Sequence, residues 1–201
     1  MSEYPIPFSG EMIRAILDGR KTQTRRVITR IHGCSEWLLT DNRIVDTQEM
    51  LSQPTVNLEY ILSHCPYGLP GDRLWVRESW RIEKRGDLYL LDYRADPGCP
   101  TMRIGHSELA ARYVTDNRKY RPSIFMPRWA SRITLEIESV RVERVQDIDE
   151  TDVCAEGAPF HCLEIHEWDF AALWDSINAK RGYGWDTNPW VWVVAFSRVE
   201  Q

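Results

Sequence analysis

The segment Gly19-Arg20-Lys21-Thr22-Gln23-Thr24-Arg25-Arg26 packs four cations and two hydroxyls into eight consecutive residues. Arginine offers forked donors, lysine a point charge and threonine a hydroxyl, a set suited to an anion or a polar planar ligand. A threonine hydroxyl becomes a nucleophile when a neighbouring amine of lowered pKa takes its proton. The same residues also read as a basic turn after a helix, complementing its dipole.

Charge elsewhere is equally uneven. Arg118 to Arg132 carries five bases and no acid, whereas Ile133 to Asp169 carries eleven acids against Arg141 and Arg144. The net charge of −5 and pI near 5.6 argue against a general nucleic-acid coat protein. They agree with a local anion site on an acidic body. Arg77 and Glu78 are candidates for an ion pair or a ligand-pocket wall. Trp129, between Arg128 and Arg132, and Trp185, beside Asp186, lie in loop-like sequence, where flat rings either stack on bases or plug the end of a barrel. Trp75, Trp174 and Trp192 sit at core-like phases.

Other chemistries are poorly served. The five cysteines (Cys34, Cys65, Cys99, Cys154, Cys162) are odd in number and lack a CxxC, which speaks against a disulfide framework. His32-x-Cys34, His64-Cys65 and His161-Cys162 to His166 lack the spacing of a zinc ribbon or finger. Neither a metal nor a cofactor is expected, since no P-loop, GxGxxG, HExxH or GxSxG occurs. No run approaches the roughly 20 apolar residues of a membrane span, and the start lacks the pattern of a secretory signal. A cytoplasmic protein is expected, with oligomeric state open.

The elements that must position these groups follow from periodicity. Ser9 caps a helix with the stripe Met12, Ile13, Ile16 and Leu17, ended by Gly19, and a polar loop from Arg20 to Arg26 follows. Strands are predicted at Leu74–Ser79, Leu88–Arg94, Arg132–Val145 and Trp190–Phe196, the third with a phase break near Ser139 that marks a bulge. Asp149 caps a helix over Glu150–Glu156, and Phe170, Leu173, Trp174 and Ile177 mark another. Residues 1–201 therefore read as one α+β domain built on a small curved β-barrel, with flanking short helices and insertions at about 31–64 and 97–119.

The ordered set Gly19-x-Lys21-Thr22-x-Thr24-x-Arg26, Pro70-Gly-Asp-Arg-Leu-Trp-Val-Arg77-Glu78 and Asp147-Ile-x-Glu150 to Ala155-Glu156-Gly157 resembles the ASCH domain, a PUA-like barrel. Met126-Pro-Arg-Trp129-Ala-Ser-Arg132 and Tyr183-Gly-Trp185-Asp-x-Asn188-Pro-Trp190 resemble additions in longer ASCH proteins often carried by phages. The resemblance implies binding of RNA or a modified nucleoside. It also implies, from the short members, an amidohydrolase removing acetyl from N4-acetylcytidine with Lys21, Thr24 and Glu156, Glu150 being the rival carboxylate. Arg20, Thr22, Arg26, Arg77, Glu78, Arg128, Trp129, Arg132 and Trp185 would bind the ligand. The alternatives are a non-catalytic RNA-binding module and a ribonuclease using the same basic cleft.

Overall fold

The computed structural model describes residues 1–29, 37–40, 43–46, 62–86, 88–96, 102–104, 111–114, 119–157 and 167–199. Most of both expected insertions lies outside them.

The chain opens with strand β1 (Glu3–Pro7) and helix α1 (Gly10–Leu17), whose Ser9 side chain accepts from the Met12 amide and whose buried face is Ile13, Ala15 and Ile16. Strand β2 (Gln23–Val27) follows, then the hairpin β3 (Trp37–Thr40) and β4 (Arg43–Asp46). Strands β5 (Arg73–Arg77), β6 (Trp80–Arg85), β7 (Leu88–Tyr93), β8 (Met102–Ile104) and β9 (Thr134–Arg144) come next. Helices α2 (Glu150–Ala155) and α3 (Glu167–Asn178) precede the last strand, β10 (Trp190–Arg198).

One sheet has the order β1-β5-β9-β10-β2, with β1 parallel to β5 and every other pairing antiparallel. β6, β7 and β8 form a second, three-stranded sheet. The α+β class stands, but the barrel does not: among the described residues the main sheet is open, with β1 and β2 at its edges. The expected bulge is present, as the β9–β10 register slips from Ala195↔Ser139 to Phe196↔Ile137.

β10 is an inner strand, between β9 and β2, and has both faces covered. Trp192, Val194 and Phe196 join Ile6, Phe8 and Leu135 in one core, while Val191 and Val193 meet Val153, Phe170 and Trp174 of α2 and α3 in another. This is the burial expected of a strand whose successive side chains point to opposite faces. Trp80, Ile82, Leu91, Tyr93 and Met126 make a third core on the smaller sheet.

The segment expected to be a polar loop after Gly19 becomes edge strand β2. Its backbone pairs with β10, Arg26 opposite Trp192 and Thr24 opposite Val194. The polar side chains are no obstacle because acids from distant elements neutralise those that turn inward, as set out below.

Candidate functional site

Gly19 takes a left-handed turn (φ 73°) after α1, and the Arg20 and Lys21 amides both donate to the Ala15 carbonyl, at 2.9 and 3.0 Å. The chain then runs beside the end of α2, where the Thr22 amide donates to the Ala155 carbonyl at 2.8 Å and Lys21 bridges to Glu156. α2 is itself fixed by Asp149, whose side chain accepts from the Asp152 amide at the helix N-terminus.

That docking seals Lys21 inside the protein. Its side chain has no solvent exposure, and Nζ donates to both the Glu156 backbone carbonyl and Glu156 Oε2, each at 2.7 Å. Burial pulls the ammonium pKa below its ordinary value; the Glu156 carboxylate works against that, while the charges of Arg26 and Arg25 add to it. Arg25 is almost as deeply buried. Its Nη2 reaches Asp152 Oδ2 at 2.6 Å and Glu143 Oε2 at 3.3 Å, and its Nη1 lies 3.7 Å from Glu156 Oε1. Gln23 Nε2 donates to the other Asp152 oxygen at 3.0 Å, completing a network between β2, β9 and α2.

A cleft of about 270 Å³ opens along β2, lined by Thr24, Arg25, Arg26 and Val27 on that strand and by Glu156 at the end of α2. Pro7, Met12 and Tyr67 lie along it as well, and the other wall is α3 with the turn after it: Phe170, Leu173, Trp174, Ile177, Asn178 and Arg181. Arg26 lies 5.1 Å above the Phe8 ring and donates from Nη2 to the Pro7 carbonyl at 2.6 Å. Thr24 is buried on the wall, and Lys21, itself off the lining, is bonded to Glu156, which is on it. A hydroxyl, a carboxylate, a guanidinium and an aromatic wall thus face one cavity, with a desolvated amine bonded to the carboxylate.

Thr22 and Arg20 are exposed, Arg20 pairing with Asp18 at 3.0 Å and donating to the Gly157 carbonyl at 3.3 Å. Glu150, the rival carboxylate, is exposed in the first turn of α2, away from Lys21. The remaining predicted residues do not line the cleft. Arg77 stacks 4.6 Å over Trp75. Glu78 is buried with its pKa raised by desolvation, and accepts a forked pair of bonds from Arg132 at 2.9 and 3.1 Å. Arg132 lies 4.2 Å over Tyr93. Arg128 grips Glu3 on the surface at 2.8 and 2.9 Å.

Trp129 packs edge-on against Trp80, 5.9 Å between centroids, and against Tyr113. Trp185 packs on Phe170 at 6.1 Å and so supports the cleft wall from behind. Lys21 is thus interior, and Arg128 and Arg132 are each paired with a glutamate.

Sequence reasoning missed Arg25 with Asp152, and Tyr67, Asn178 and Arg181 on the cleft. The alternation of Gln23 and Arg25 against Thr24 and Arg26 was the available signal for β2, because it puts two polar pairs on opposite faces of a strand. Neither Cys65 nor Cys154 is in a disulfide, and burial raises the Cys65 pKa to about 11. Among the described residues no group of three or more His, Cys, Asp and Glu is placed to hold a metal. The other three cysteines and His32, His161 and His166 lie outside those residues.

No family model matches this chain, and no curated protein does. Among solved structures it is similar to the ASCH domain from Lactobacillus crispatus JV V101, at 10% identity over 98% of this chain and 79% of that one, with a TM-score of 0.38.

Proposed function

We propose that this chain is an ASCH-type protein whose cleft along β2 binds a nucleobase and hydrolyses an exocyclic acyl amide of the N4-acetylcytidine kind. The observation that carries this reading is the sealed contact of Lys21 with Glu156, a residue that lines the same cleft as Thr24. The ordered motif of Lys21, Thr24 and Glu156 supports it independently.

A neutral lysine amine has two N–H donors and one lone pair. Both acceptors given to Lys21 belong to Glu156, so the lone pair is the position left to take a proton. In the proposed reaction Lys21 Nζ accepts the Thr24 hydroxyl proton as Oγ1 bonds to the acyl carbon. The bond from that carbon to the exocyclic nitrogen breaks with its electron pair on nitrogen, which receives the proton from Lys21. Water then attacks the Thr24 ester with Lys21 again as base, releasing the carboxylic acid and restoring the hydroxyl. Glu156 holds the amine in place throughout, and the lowered Lys21 pKa makes the neutral form accessible nearer to neutrality. Phe170 and Trp174 give the planar base an apolar wall.

The test is acetate release from N4-acetylcytidine by wild type, Lys21→Arg, Thr24→Ala and Glu156→Gln, with labelled RNA followed in parallel for cleavage. Turnover by wild type and loss of about 100-fold or more in Lys21→Arg and Thr24→Ala supports the reading. Equal rates in all four, or no wild-type turnover on any acylated nucleoside, removes the amidohydrolase. Strand cleavage in its place favours the ribonuclease, and binding without either reaction favours the RNA-binding module.

A further inference from the structure

Arg20, Arg25, Arg81, Arg128, Arg132 and Arg141 each lie within ion-pair distance of a carboxylate. Of the arginines that, among the described residues, do not, Arg26 and Arg181 are the two that line the cleft. Arg26 Nε is buried with no hydrogen-bond partner among the described residues, and the one bond its guanidinium makes to them goes to a neutral carbonyl, that of Pro7. Among the described residues Arg181, exposed in the 3₁₀ turn Ala179–Arg181 after α3, has only Asn178 Oδ1 at 3.4 Å and the Tyr183 ring at 5.9 Å. Among the described residues the sole acid on the lining is Glu156, already engaged by Lys21 and approached by Arg25.

Tyr67, also on the lining, feels both cations. Burial raises its pKa, and the charges of Arg26 and Arg181 each oppose that rise. All three groups lie on the lining of the one cleft. A half-buried guanidinium with no ion-pair partner among the described residues is costly, and an incoming anion repays that cost. Planar forked donors match the oxygens of a phosphate in particular.

We propose that the cleft takes a phosphorylated nucleoside, Arg26 and Arg181 clamping its phosphate beside Tyr67 while the base lies toward Thr24. This rests on the nucleobase half of the function proposed above. The phosphate belongs either to a free mononucleotide or to an RNA chain.

Calorimetric titration of the full chain with cytidine, cytidine 5′-monophosphate, ribose 5-phosphate and a short 5′-phosphorylated oligoribonucleotide tests it. The monophosphate should bind about 10-fold or more tightly than cytidine, as charge-assisted bonds to one group allow. In Arg181→Gln that ratio should fall toward one; Arg181 is exposed, and thermal unfolding checks that the variant is folded. Raising salt should narrow the wild-type ratio as well. Equal affinity for cytidine and its monophosphate, or a preference that persists in Arg181→Gln, overturns the clamp while leaving the base reading intact. Ribose 5-phosphate binding without cytidine binding supports the clamp and removes the base reading, and no binding by any of the four overturns both. Oligonucleotide affinity matching or exceeding the monophosphate identifies RNA as the source, whereas binding of the monophosphate alone identifies the free nucleotide.

Discussion

Lys21 and Glu156 hold each other where both side chains are buried, Lys21 completely. Lys21→Met leaves the Glu156 carboxylate without its ammonium and should cost about 3–5 kcal/mol in denaturant unfolding, whereas Lys21→Met combined with Glu156→Gln should cost less than the sum of the single changes. The pH dependence has a definite sign. Because the folded-state pKa of Lys21 is lowered, the unfolded chain binds more protons between that value and the ordinary 10.5. The contribution of Lys21 to stability therefore rises with pH across that interval. Tyr67, whose folded pKa is raised, acts in the opposite sense at high pH. Subtracting the Lys21→Met profile from that of wild type isolates the lysine, and the difference should grow with pH rather than shrink.

The site is assembled by the close approach of the turn after α1 to the end of α2, and Gly157 is what permits it. Its φ of 81° lies in the left-handed region, and a β-carbon there would sit 2.7 Å from the Lys21 β-carbon and 2.9 Å from that of Ala15. Gly157→Ala should lose at least about 1–2 kcal/mol from the backbone alone, more from the clash, and should weaken cleft ligands along with stability. Asp149→Ala, which removes the α2 cap, should cost about 1 kcal/mol.

Elements with a clear period were legible in the sequence. α1 was marked by Ser9, its apolar stripe and Gly19; β9 and β10 by alternation and a bulge; α2 by Asp149. β2 was not, because its partners are remote: Arg25 meets Asp152, 127 positions away, and nothing local announces that acid as its counter-charge. The motif did bring Lys21, Thr24 and Glu156 to notice. The far wall of the cleft stayed hidden because Phe170, Trp174 and Arg181 reach it only through the packing of α3 against β10. Barrel closure was equally non-local, as strand periodicity is the same in an open sheet and a closed one.

At the scale of the molecule, a chain of net charge −5 keeps a cleft whose two free-standing cations are Arg26 and Arg181, so attraction of an anion is local and salt-sensitive. No helix among the described residues is long and apolar enough to cross a membrane. The smaller sheet has its own core, to which Trp129 belongs with Trp80 and Tyr113. Trp129→Ala should therefore act on stability, by up to about 3–5 kcal/mol, and leave the affinity of the cleft unchanged in titrations at a temperature where the variant is folded.

The claim that Thr24 is a nucleophile served by Lys21 has a direct readout in the acyl group itself. Wild-type protein mixed with N4-acetylcytidine, quenched in acid within the first turnovers and digested for mass spectrometry, should carry an acetyl group on the peptide containing Thr24. Thr24→Ala should carry none and release no acetate. Full turnover by Thr24→Ala, or wild-type turnover with the Thr24 peptide never acylated under any quench time, would contradict the account.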